Sequence, residues 1–398
     1  MGEWKNVRVG ELGKIITGKT PKTSISDNYG GRIPFLTPSD NMSVKYVGKT
    51  SKTLTEKGLL EVKNAILPEN SVCVSCIGSD LGKAVITTCP TVTNQQINSI
   101  IVDEKSFDVS FVYYAMQILG KKMNFISKTS TAVPIVNKSS FSSYEIKCPP
   151  REDQKRIAAV LSALDSKIEC NKKINDNLEQ QAVALFKSWF VDFSLFGGTV
   201  PENWEDTTLE NITTLITRGI APKYSDNSDQ TVVNQKCIRN HTIDLSLART
   251  HTPKAINEKW LKFGDLLINS TGDGTLGRVA QVWFAPKALT VDSHVTIVRP
   301  AREELIFYIG LWGILHEKEI ESLHIGSTGQ TELPRDRVKK LKLLLPDNIS
   351  LSRFNSIIAP MASTIISNQE ENQKLASLRD TLLPKLMSGE IDVSSIQL

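Results

Sequence analysis

The chain has 398 residues, 40% apolar and 23% charged, enough for two or more domains with proper cores and ordinary for a soluble globular protein. No apolar run approaches the ~18 residues of a membrane span, and Met1-Gly2-Glu3-Trp4-Lys5 is no signal-peptide core, so a cytoplasmic location is expected. The net charge of +4 leans mildly towards anionic partners, and six unpatterned cysteines fit a reducing compartment.

The chain is organised as a duplication. Trp4 opens one half and Trp204 the other. Ile16-Thr17 is echoed by Ile216-Thr217, and Pro21 by Pro222. Leu81-Gly82-Lys83 is echoed by Leu276-Gly277-Arg278, Ser130-Thr131 by Ser327-Thr328, and Pro149 by Pro346. A tandem pair of this kind gives two similar folds related by an approximate two-fold axis.

In each half, short strands come first. Val72–Val74, Ile97–Ile100, Leu266–Ile268 and Val295–Val298 read as strands, separated by Gly, Asn, Asp and Ser clusters. Short helices are expected around Phe111–Leu119 and Leu305–Leu315. The fold class is therefore α+β: two α/β-mixed domains, at 1–150 and 197–345, separated by an antiparallel two-helix coiled coil at 151–196 and 346–398.

Those helices carry the clearest periodicity. Ile157, Leu161, Leu164, Ile168, Asn171, Asn175 and Leu178 step by alternating four and three, continuing to Trp189. Phe354, Ile358, Met361, Ile365, Asn368, Asn372 and Leu375 repeat the steps at a constant offset of 197. This is a heptad seam, which makes two helices supercoil. Pro360 is expected to kink the second helix or mark its start. The four asparagines form a central polar layer if the helices are antiparallel; otherwise they are solvent-facing breaks in the seam. The seam's 33 residues, from Ile157 to Trp189, span roughly 50 Å. That length suits two recognition blocks on successive turns of B-DNA, about 34–36 Å each. It equally suits a dumbbell scaffold that binds proteins.

Three stretches resemble a known family. Pro149-Pro150-Arg151-Glu152-Asp153-Gln154-Lys155-Arg156-Ile157, continued by Asp165 and Ile168, resembles the opening of the conserved helix of type I restriction–modification specificity subunits. Trp4…Val7-x-Val9-Gly10-Glu11-Leu12…Gly18-Lys19-Thr20-Pro21 resembles the start of their recognition domains. Leu382-Leu383-Pro384-Lys385-Leu386-Met387-Ser388-Gly389-Glu390-Ile391 resembles their C-terminal tail. The second copy departs at Leu345-Pro346-Asp347-Asn348, which lacks the Glu-Gln pair. The resemblance implies a non-catalytic DNA-reading subunit. Each domain would read half of a split, asymmetric double-stranded target, and the helices would dock two modification subunits. Motor-nuclease restriction subunits would complete the complex. S-adenosylmethionine, ATP and Mg²⁺ would belong to those partners, with no cofactor or metal in this chain.

Several motifs are refused. Gly13-Lys14-Ile15-Ile16-Thr17-Gly18-Lys19-Thr20 spells a phosphate-binding loop, but Pro21 comes next, where a helix must begin. A basic turn near DNA phosphates is the better reading. Gly272-Asp273-Gly274-Thr275-Leu276-Gly277 spells a dinucleotide fingerprint, yet Arg278–Trp283 alternates like a strand, so a β-turn is expected. Cys73-Val74-Ser75-Cys76 lacks a second pair at zinc spacing and reads as buried thiols. Glu145-Ile146-Lys147 has no placed carboxylate partner for nuclease chemistry.

Reading base edges takes Arg, Lys, Asn, Gln, Ser or Thr, and phosphates take cations and hydroxyls. The DNA-binding candidates sit in repeated loops. They are Lys19; Ser79 and Lys83, matched by Thr275 and Arg278; and Asn94, Gln95 and Gln96, matched by Ser293 and His294, each set opening the next strand. Further candidates are Lys128, Ser130 and Thr131, matched by Ser327, Thr328, Gln330 and Thr331. The second half adds Arg218, Asn234, Gln235, Lys236 and Arg239.

Overall fold

The computed structural model describes residues 3–128, 136–326 and 331–396. The chain forms two compact units, Met1–Glu169 with Asn372–Leu398, and Cys170–Glu371. Each contains one mixed α/β domain and part of both long helices, which run from Arg151 to Phe190 and from Asn348 to Ser388.

In the first unit a five-stranded sheet has the order Gly13–Thr17, Ile97–Val102, Ser71–Ser75, Ala84–Thr87, Tyr46–Val47. Successive side chains of a strand face opposite ways, and here both faces are covered. Val72 and Val74 enter a core with the helix Val109–Lys128, while Cys73 enters a second core beneath a four-stranded sheet. That sheet has the order Lys52–Leu54, Tyr29–Leu36, Thr91–Thr93, Ile66–Leu67, and Phe35 pairs in parallel with Val92. Double coverage explains why Val72–Val74 reads as an unbroken apolar run: all five residues of the strand Ser71–Ser75 are buried. A separate ladder pairs Lys5–Arg8 with Glu145–Cys148.

The second unit repeats this plan. Its main sheet has the order Thr213–Arg218, Val295–Pro300, Leu266–Asn269, Val279–Gln281. A smaller sheet contains the parallel pair Thr231–Val233 and Leu289–Val291, and Glu205–Thr208 pairs with Lys342–Leu345. The core pairings recur in both units, although the first has one more strand in each of its two larger sheets and the second adds a hairpin of Ile238–Arg239 with Thr242–Ile243, so the duplication read from scattered echoes is a duplication of core topology. The turn glycines make the same point. A Cβ on Gly18 would lie 2.1 Å from the Asn94 carbonyl oxygen, and one on Gly219 would lie 1.9 Å from that of Val291. Both turns press against the backbone that leads into the neighbouring strand.

Within each unit the two long helices run in opposite senses. In the first, Arg156 bonds the Ile396 carbonyl and Asp165 pairs with Arg379 at 2.9 Å. In the second, Asn171 meets Glu371, Asn175 meets Asn368, and Phe190 packs on Phe354. Residue numbers rise along one helix as they fall along the other. Ile157 and Leu161 are fully buried in the first unit, as are Phe354, Ile358 and Ile365 in the second, while Ile168 is also buried. Leu164, Leu178, Met361 and Leu375 are half-buried.

The asparagines are not solvent-facing in the second unit: Asn171 is 0% and Asn175 7% exposed. Asn368 donates to the Asn175 side-chain oxygen at 2.8 Å, and Asn171 to Glu371 at 2.6 Å. Asn372 belongs to the first unit and is half-buried.

Three expectations need correction. Pro360 does not start the second helix, which begins twelve residues earlier at Asn348 and continues through it. The helix begins there because Asp347 accepts from the amides of Ile349 and Ser350 and from the Ser350 hydroxyl. The helix expected at Phe111–Leu119 extends over Val109–Lys128. Asn94-Gln95-Gln96 and Asp292-Ser293-His294 do not open the next strands; they form the turns before Ile97 and Val295, held by the Asn94 and Asp292 side chains on the amides two residues on.

Candidate nucleic-acid interface

In each unit a shallow concavity opens beside the glycine turn that follows the sheet's edge strand. In the first unit it measures about 610 Å³ and is lined by Gly18, Lys19, Thr20, Lys22, Glu61 and Gln95 among others. Thr20 donates to the Gln95 side chain at 2.6 Å, and the Lys22 amide donates to Glu61 at 2.9 Å. That bond, aided by the nearby Lys22 and Lys57 charges, holds the Glu61 carboxyl below its usual range. Lys19 is exposed, as are Gln95 and Gln96. The segment Gly13–Thr17 is a strand paired with Asn98–Val102, and no helix follows it, which removes the phosphate-loop reading.

In the second unit the concavity measures about 320 Å³, lined by Thr217, Arg218, Gly219, Lys259, Glu332 and Arg335. Arg218 pairs with Glu332 at 2.8 Å and donates to the Leu333 carbonyl at 3.0 Å. Further candidates gather in the adjoining turns. The Thr271 hydroxyl bonds His294 Nδ1 at 2.7 Å, and the Ser270 amide donates to the His294 carbonyl. A bridge joins Thr271 to Glu332. Asn269 donates to the Gln235 carbonyl at 3.0 Å, and Thr275 is fixed on the carbonyls of Thr271 and Gly272. Asn234 caps the turn at the Lys236 amide and also reaches the Leu247 carbonyl. Arg218 at the end of its strand, and Gln235, Thr271, Thr275, Ser293, His294 and Thr331 in the connecting segments, therefore lie at one end of the sheet.

Other candidates are engaged locally. Lys83 pairs with Asp80 at 2.6 Å, and Arg278 donates to the Gly274 carbonyl at 2.7 Å, so these equivalent cations each brace their own turn. Gly272–Gly277 is the turn of a hairpin in which Leu266 faces Gln281, not a dinucleotide site. Lys236 and Arg239 are exposed, Arg239 in a hairpin with Thr242. At that hairpin's turn His241 faces Glu317 at 3.4 Å, and this partner raises the imidazole pKa. Glu179 on the first long helix is pushed up to about 6 by burial and by Asp176. Ser79 lies in a short turn helix, Gly78–Asp80, and Lys128 ends the helix Val109–Lys128. Ser130, Thr131, Ser327, Thr328 and Gln330 lie outside the described residues.

Cys73 and Cys76 are buried, burial lifts the Cys73 thiol to about 12, and no metal-binding cluster occurs among the described residues. Glu145–Cys148 is a strand of the small ladder, Glu145 lying 4.0 Å from Arg8. No helix among the described residues is long and apolar enough to cross a membrane.

The family model for the type I restriction modification DNA specificity domain matches residues 1–180. Over 99% of its length the chain is 28% identical to the specificity subunit of the type I restriction enzyme MjaIX of Methanocaldococcus jannaschii, covering 95% of that protein. Residues 1–180 thus carry the type I restriction modification DNA specificity domain, and the chain as a whole is similar to type I specificity subunits. It is also 32% identical over 180 residues to the HindI specificity subunit of Haemophilus influenzae, 44% of this chain and 39% of that one. The crystal structure of the type I restriction-modification S subunit from M. genitalium has the same fold, with a TM-score of 0.56 at 17% identity, over 97% of this chain and 96% of that one.

Sequence reasoning missed Lys22, Glu61, Lys259, Glu332 and Arg335 as lining residues. Lys22 carried a signal, because Pro21-Lys22 is repeated as Pro222-Lys223. Lys259 and Arg335 carried none, since only the fold brings them to Arg218.

The first domain is tied to the helices by a polar cluster within its unit. Tyr114 donates to Asp165, which also receives Arg379, while Lys45 donates to Ser162 at 2.6 Å. Burial lowers the Lys45 ammonium to about 8, against the opposing pull of Asp165 and Asp108.

Proposed function

We propose that this chain is a type I specificity subunit that reads double-stranded DNA in two parts, one recognition domain per half of a split, asymmetric target. The observation that carries the reading is the duplicated topology, with a concavity at the equivalent glycine turn of each copy and different side chains lining it. Equal scaffolds with unequal linings suit two half-sites of unequal sequence. A helix of 40 residues extends roughly 60 Å, against about 34–36 Å for a turn of DNA, so helix length is the natural determinant of half-site spacing. On this reading the helices also dock two modification subunits, to which restriction subunits are added, and the chain itself catalyses nothing. S-adenosylmethionine, ATP and Mg²⁺ then act in those partners, in the cytoplasm.

Methylation mapping in a host that expresses this chain with its modification subunits tests the reading. One split motif is expected, and replacing residues 197–345 with the second domain of another family member should change only one half of it. A continuous motif, or a change in both halves, overturns the proposal.

A further inference from the structure

The concavity of the second domain gathers three cations around one carboxylate. Arg218 is committed: its Nη2 reaches Glu332 at 2.8 Å and the Leu333 carbonyl at 3.0 Å, so the pair is neutral and fixed. Lys259 donates to the Gly219 carbonyl at 3.0 Å. An ammonium has three donors, so two remain. Arg335 is exposed, and its guanidinium makes no hydrogen bond or ion pair with any described residue. Two positive charges are thus uncompensated in one concavity.

We propose that Lys259 and Arg335 form a phosphate clamp that grips the DNA backbone regardless of sequence, with the Arg218–Glu332 pair as its fixed wall. The clamp rests on the reading of this chain as a duplex-DNA binder and assigns residues to it. The lining residues include no aromatic ring for stacking on a base and no side-chain amide for reading an adenine edge. A lysine ammonium is a point charge suited to phosphate, and the free fork of an arginine grips phosphate oxygens bidentately. Gly219 holds the Lys259 acceptor in place, because its turn lies too close to the Val291 carbonyl for any side chain. The first domain's concavity also carries two lysines, Lys19 and Lys22, but there Glu61 stays ionised beside them.

The test is the salt dependence of binding between the full chain and fluorescein-labelled duplexes of unrelated sequence. Each lost phosphate contact flattens the slope of log K against log salt by about 0.9. Lys259→Gln and Arg335→Gln should each flatten it by that amount, the double variant by about 1.8, equally on every duplex. Lys259→Arg, which keeps the charge, should restore the slope. Arg302→Gln is the charge-matched control, since Arg302 follows the far end of the strand Val295–Pro300; it should leave the slope unchanged. Unchanged slopes in both concavity variants, with the parent chain binding normally, overturn the clamp alone. So does an effect confined to one duplex sequence, which would make these residues base readers, or an equal effect from Arg302→Gln. If the parent chain binds no duplex at all, the DNA-reading proposal falls and the clamp with it.

Discussion

Removing Asp165 should cost the first unit more than removing its partner Arg379. The carboxylate receives the Arg379 guanidinium at 2.9 Å and the Tyr114 hydroxyl, with side-chain exposures of 15% for Asp165 and 30% for Arg379. An exposed pair contributes about 0–1 kcal/mol, and breaking a buried one costs about 3–5. This half-buried position lies between, so Asp165→Ala should cost about 2–3 kcal/mol, or roughly 30- to 150-fold in an opening equilibrium. The loss is not symmetric. Without Asp165, the Lys45 ammonium loses a carboxylate that opposes its desolvation, and burial already penalises that ammonium, while Arg379 keeps only the more exposed Asp380. Without Arg379, Asp165 keeps Tyr114 and the Lys45 charge, so Arg379→Ala should cost about 1 kcal/mol less. Hydrogen exchange of peptides from Val109–Lys128 reports on the unit directly. Tryptophan fluorescence would not, because Trp4 is the first unit's only tryptophan. A double-mutant coupling below about 0.5 kcal/mol, or equal costs for the two single variants, would refute the reasoning.

Three other outcomes are expected. Asp347→Ala should destabilise the second unit by about 1–3 kcal/mol, since it removes a helix cap and the partner of the Trp204 indole. Its hydrogen bonds hold the Asp347 carboxyl at about 2, below the ordinary 3.8, so its contribution is present above pH 3.8 and lost as pH falls through 2. Urea midpoints of parent and variant should therefore converge across that acid window and stay apart at neutral pH. Gly219→Ala should cost at least about 2 kcal/mol by thermal unfolding, because the new methyl would meet the Val291 carbonyl; an unchanged melting temperature would contradict the close approach. Arg278→Ala should weaken DNA binding by ~1–3 kcal/mol at one half-site only if the guanidinium leaves the Gly274 carbonyl to read a guanine; unchanged affinity removes it from the interface.

The helices were the most legible part of the chain, because a heptad seam is a local pattern and its second copy keeps one offset from Ile157 to Phe354 onwards. Buried strands such as the one around Val72–Val74 were legible as apolar runs, though not which core each residue faces. The second helix's missing Glu-Gln pair looked like a departure from the family pattern. Asp347, one residue beyond Pro346, caps the helix instead, and a cap is a matter of backbone geometry more than of motif. The lining of the two concavities was only partly legible in the sequence for the same reason. Turn residues such as Gln95 and His294 announce themselves by composition, whereas Lys259 and Arg335 reach Arg218 only through long-range sheet pairing. Asp165 was noticed as part of a family pattern, but its bond to Arg379 joins positions far apart in the chain and leaves no local trace.

The make-up of the first unit has a genetic corollary. Leu383, Leu386, Met387 and Val393 are buried in the same core as Val9, Phe111 and Ile157. A stop codon between residues 170 and 371 would therefore spare every codon of the first domain and still strip away one wall of it. The lesion would do its harm at the opposite end of the gene, whereas exchange of the segment 170–371 would leave that core whole.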